Sequence, residues 1–81
     1  MLKVLFFAQT RELVNCDSLE MPAEFADVEA LRQALAQKGE KWALALQSGK
    51  LLVAVNQKLT GFDTALQDGD EVAFFPPVTG G

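Results

Sequence analysis

The chain has 81 residues, 49% of them hydrophobic and 22% charged, a balance that folds as one small domain and leaves no room for a separate catalytic module. Its net charge is −4 and its seven cationic residues are scattered from Lys3 to Lys58, which argues against phosphate-tracking nucleic-acid binding. With one cysteine and no histidine, neither an intramolecular disulfide nor a zinc or cluster site of the N/S kind has its ligands.

The apolar N-terminal run from Met1 to Gln9 is too short for a signal-peptide core with its flanks or for a membrane span, so a cytoplasmic protein with no membrane attachment is expected. Within it, Leu2 to Ala8 is apolar on both alternation phases, the pattern of a central strand covered on two faces. Thr10-Arg11-Glu12-Leu13 reads as a short turn, Cys16 as an incidental thiol with no cationic neighbour, and Ser18-Leu19-Glu20-Met21 as a half-buried strand ended by Pro22. The first two strands are expected to form a hairpin.

Asp27 is a helix cap, Glu29 favours the positive end, and Val28, Leu31 and Leu35 recur at helical spacing before Lys38 and the stop residue Gly39. Trp42, Ala45 and Leu46 continue that spacing from Glu40 to Gln47, with Gly49 ending the element and Trp42 read as core filler. Leu51 to Val55 is a second buried strand, Asn56-Gln57 a turn, and Lys58-Leu59-Thr60 a short strand. Asp68-Gly69-Asp70 is a tight turn into the last strand, Glu71 to Phe75, which Pro76-Pro77 stops.

This order predicts an α+β fold of the ubiquitin-like β-grasp layout. It is a mixed sheet with Leu2 to Ala8 central, the Glu71 to Phe75 strand beside it, and the Val28 to Lys38 helix on one face. Val4, Phe6, Leu19, Leu31, Leu35, Val53, Val72 and Phe74 are the expected core. Alternation puts Phe7 and Phe75 on the opposite, less buried face, where Leu59 can join them in an apolar patch for a protein partner.

Little in the chain can carry chemistry by itself. Asp68, Asp70 and Glu71 lack the spacing of a calcium loop, and no nucleophile elbow, phosphate-cradling loop or zinc-hydrolase pattern is present. Without histidine the usual general base is missing too, so an autonomous enzyme is not expected. What remains is the end, Phe74-Phe75-Pro76-Pro77-Val78-Thr79-Gly80-Gly81. The proline pair holds an exit extended, and two glycines make a tip thin enough for a narrow channel, so residues 76–81 are read as a projecting tail of the single domain 1–81.

At this point the chain resembles, over essentially its whole length, the small subunits of molybdopterin synthase, β-grasp sulfur carriers of molybdenum-cofactor biosynthesis. The residues that carry the resemblance are Lys3 to Ala8, Arg11-Glu12-Leu13, Val28 to Arg32, Leu52 to Asn56, and above all Asp68 through Gly81. The resemblance implies that the Gly81 carboxylate, with Gly80 before it, is adenylated and converted to a thiocarboxylate. That sulfur then goes to a cyclic pyranopterin monophosphate to build the molybdopterin dithiolene. It implies a ubiquitin-activating-like adenylyltransferase that uses ATP, a sulfur donor system, no permanently bound cofactor, and assembly with the large synthase subunit into a heterotetramer. On that subunit Phe7, Arg11, Leu59, Phe75, Pro76, Pro77, Val78 and Thr79 would make contact. A thiazole-pathway carrier, a ubiquitin-like modifier and a plain interaction module stay open at this stage, the Phe74 to Val78 block favouring the molybdopterin carrier.

Overall fold

The computed structural model describes residues 1–47, 49 and 51–77. Among these residues five strands and three helices follow in the order β1 (Leu2–Phe6), α1 (Ala8–Val14), β2 (Ser18–Met21), α2 (Val28–Ala36), α3 (Glu40–Ala45), β3 (Leu52–Val55), β4 (Lys58–Thr60) and β5 (Glu71–Phe75). They form one mixed sheet in the order β2-β1-β5-β3-β4, in which β1 and β5 run parallel and the other neighbours antiparallel. This is the β-grasp arrangement. The strand from Leu2 is interior, as expected, but the middle of the sheet is β5, the strand that leads into the C-terminal segment.

The helix α2 lies on one face because its apolar positions share one side. Val28, Leu31 and Leu35 are fully buried in one cluster with Leu2, Val4, Phe6, Val53, Val72 and Phe74. Asp27 caps the helix, its carboxylate accepting the Ala30 N–H at 2.9 Å and filling one of the orphan donors of the first turn. Backbone bonds from Val28 and Glu29 to the carbonyls of Thr64 and Phe62 tie the same end to the segment before β5. Trp42 meets Phe6 edge to face with centroids 5.5 Å apart, the core role expected of it, and Phe6 stacks on Phe74.

Five expectations need correction. The first strand stops at Phe6, and Ala8 already opens a helix. Thr10 to Leu13 is therefore not a turn but part of α1, formed because Thr10 and Val14 both bury on one side, a stripe too short to stand out in the sequence. The helices end earlier than read, α2 at Ala36 and α3 at Ala45. Leu19 sits on the edge strand β2 and is only half-buried, packed against the core from its margin.

The last correction bears on function. Residues 2–8 were read as covered on two faces, yet along β1 only Leu2, Val4 and Phe6 are buried, whereas Lys3 is exposed and Leu5 half-buried. No described helix covers the second face. The second apolar phase has another purpose.

Candidate functional site

The outer sheet face is assembled by register. Leu5 opposes Ala73, Ala73 opposes Ala54, and Ala54 opposes Leu59, so these four side chains cross the sheet in one row from β1 to the β4 edge. Phe75 opposes Leu52 in the next row. The Phe7 N–H donates to the Phe74 carbonyl at 3.1 Å, which continues the parallel ladder and puts Phe7 beside Phe75. Phe7 is 47% exposed and Leu59 is 68% exposed, large values for apolar side chains, while Phe75 is half-buried.

The expected patch is therefore present, with a change in its composition. Leu59 is two strands away from Phe75, and Leu52, Ala54, Ala73 and Leu5 join the two ends into one surface. Sequence reasoning missed those four, although the signal was there: apolar residues on both phases of β1, β3 and β5. Arg11 is exposed and stands one helical turn after Phe7, its N–H donating to the Phe7 carbonyl at 3.3 Å and its guanidinium 3.9 Å from Asp17.

Beside the patch runs a groove of about 310 Å³ between α1 and α3, lined by Gln9, Thr10, Leu13, Leu44, Ala45, Gln47 and Pro76. Pro76 forms one wall and is half-buried, whereas Pro77 is exposed. Both follow β5, which is paired on each side, so the start of the tail issues from the middle strand of the sheet. Val78, Thr79, Gly80 and Gly81 lie outside the described residues.

The acidic turn has its carboxylates occupied. Asp68 pairs with the Met1 ammonium, which holds its carboxyl below the usual range. Asp70 accepts from the Asn56 amide at 3.0 Å and from the Gln67 N–H at 2.9 Å. Among the described residues no group of three histidine, cysteine or carboxylate side chains is placed to hold a metal ion. Nor is any described helix long and apolar enough to cross a membrane.

Residues 4–81 match the model of the ThiS family. The chain is 67% identical over 81 residues to the molybdopterin synthase sulfur carrier subunit of Escherichia coli, with each chain covered in full. It is 63% identical to the protein of the same name from Haemophilus influenzae, again over the whole of both. Among solved structures, it is similar to a chain in the complex of subunits 1 and 2 of the molybdopterin-converting factor from Helicobacter pylori. The identity there is 31% and the TM-score 0.67, over 99% of this chain and 97% of that one.

Proposed function

The chain belongs to the ThiS family, among the sulfur carrier subunits of molybdopterin synthase, and we propose that its sulfur-carrying group is the Gly81 carboxylate. The observation that carries this reading is the uncovered apolar sheet face beside the start of a Gly-Gly tail, in a chain so similar to named carrier subunits. A carboxylate is a resonance-stabilised, poor electrophile. In the proposed cycle its oxygen displaces pyrophosphate from ATP on an adenylyltransferase, giving an acyl adenylate. A sulfur donor at the sulfide oxidation level then displaces AMP, and Gly81 ends as a thiocarboxylate.

Docked on the large subunit through the sheet face, the thiocarboxylate sulfur forms a C–S bond to a side-chain carbon of the pyranopterin precursor while a C–O bond of that carbon breaks, the oxygen leaving on the precursor's own phosphate or as water. The product of that step is a thioester between Gly81 and the precursor, and water must cleave it to leave sulfur behind and return the carboxylate. A dithiolene has two sulfurs, so two charged carriers serve each product. Substrate-binding cations and proton-transfer groups belong to the large subunit, in keeping with a carrier that has no histidine.

Intact mass after incubation with ATP, an adenylyltransferase of this system and a sulfide donor tests the reading. The expected result is a gain equal to one oxygen replaced by sulfur, located on the C-terminal peptide. An unchanged mass with a competent enzyme, or a gain on Cys16 alone, would overturn it.

A further inference from the structure

We infer that the groove between α1 and α3 is a second part of the docking surface for the large subunit, where one bulky apolar side chain of that protein is seated beside the start of the tail. The inference rests on the docking reading above and extends it to a different side of the molecule. The groove is lined by apolar Leu13, Leu44, Ala45 and Pro76 together with polar Gln9, Thr10 and Gln47. A concave site with apolar walls and a few polar groups suits an anchor side chain of a partner. Leu44 is 55% exposed although Ala45 and Leu46 beside it are buried, and no described residue covers it.

Three observations identify the occupant. The first is continuity. Pro76 follows Phe75 directly and Gln9 lies two residues after Phe7, so the groove begins where the sheet patch ends. The second is area. A standard interface takes about 800 Å² from each partner, about a sixth of the 5000 Å² that this molecule exposes. On the sheet face only Phe7 and Leu59 are well exposed, Leu5, Leu52, Ala54 and Phe75 being half-buried and Ala73 buried. Such a face exposes little apolar surface of its own, and the apolar surface that adjoins it is the groove. The third is reach. Gly81 lies five residues past Pro76, at most about 18 Å along an extended chain, so a protein that encloses the terminal carboxylate comes within that distance of the groove's Pro76 wall.

The test uses the full chain and the purified large subunit, titrated by calorimetry, with Leu44→Asp, Leu44→Ala and, as a control of the sheet face, Leu59→Asp. Because Leu44 is largely exposed, its variants keep their melting temperatures, and circular dichroism verifies this. Leu44→Asp weakens binding roughly 10-fold or more and Leu44→Ala by a smaller factor. Normal affinity of both Leu44 variants beside a weakened Leu59→Asp overturns the groove assignment and leaves the docking face standing. Normal affinity of all three overturns both. Slower adenylation of Leu44→Asp with unchanged large-subunit affinity also overturns the inference, since it assigns the groove to the activating enzyme.

Discussion

Phe7 is held from both sides of its residue: its N–H donates to Phe74 on β5 and its carbonyl accepts the Arg11 N–H of α1. The next residue, Ala8, has φ 54°, a left-handed conformation that costs an alanine about 1 kcal/mol. Through that one residue the chain passes from strand to helix without a loop, and Phe7 is left facing outward. Since its ring packs little within the chain, Phe7→Ala is expected to weaken large-subunit binding by about 1–3 kcal/mol with little loss of fold stability. Calorimetry beside thermal melting checks this, and Phe75→Ala should behave alike on binding. Unchanged affinity in both would remove the sheet face as a docking surface. Glu29 is a residue of the opposite kind, purely structural. Its hydrogen bonds from Arg32, then from Gln33, lower its carboxyl from 4.5 to about 2, while Arg32 also donates to the Leu46 carbonyl at 2.7 Å and so links α2 to the end of α3. A carboxyl lowered on folding stabilises above its unfolded value and loses that contribution as pH falls. The wild-type advantage over Glu29→Gln should thus be present above about 4.5 and fade toward about 2. With Glu29 37% exposed, solvent screening keeps the effect small. Melting curves of the two proteins across that range check the sign, and a difference that grows on acidification would contradict it.

At the scale of elements, what was legible is what carries a strong local signal. The helix α2 has a cap, a period and a buried stripe, and it was placed within two residues. The β3–β4 turn was legible for the same reason, since Asn56-Gln57 is polar between an apolar run and the short strand Lys58-Leu59-Thr60. Both residues have positive φ, 52° and 69°, the mirror-image turn that matches the twist of a hairpin. Asn56 suits it and does more, its side chain donating to Asp70 and accepting the Glu71 N–H, which pins the hairpin to β5. Gln57 has no such excuse, so Gln57→Gly is expected to stabilise by roughly 0.5–1 kcal/mol, the relief of left-handed strain less the entropy of a freer unfolded chain. Asn56→Gly should destabilise, because it loses both side-chain bonds. Urea denaturation of the two variants separates the effects, and a destabilising Gln57→Gly would refute the strain argument. By contrast α1 was not legible. It has seven residues, no side-chain cap and no acidic first turn, and tertiary packing against α3 and β5 holds it in place. The outer face was half legible: an apolar second phase does say that something covers it, but a single chain cannot reveal whether the cover is its own helix or another protein.

For the whole molecule, stability and function are divided along the chain. Among the described residues the buried core ends at Phe74, and Phe75 and Pro76 belong to the proposed docking surface and the groove. The last two residues bring no side chain with which to bury apolar area, so changing them should leave the free protein's melting unaltered, while the proposed chemistry depends on them entirely. One residue added after Gly81 moves the reactive carbon by about 3.5 Å, and a displacement of 1 Å is worth on the order of 100-fold in a positioned reaction. Deletion of Gly81 shifts it as far in the other direction. Gly80→Val keeps the carboxylate where it was, yet adds a β-branched side chain where a narrow channel is expected and narrows the backbone angles available there. All three variants are expected to melt like the wild type, to yield little or no thiocarboxylate, and to form no molybdopterin with the large subunit. Melting temperature, intact mass and product formation, measured on the same preparations, keep folding apart from transfer. Variants that melt normally and still charge and transfer would show that the C-terminal carboxylate is not the carrier and that the chain acts through its sheet face alone.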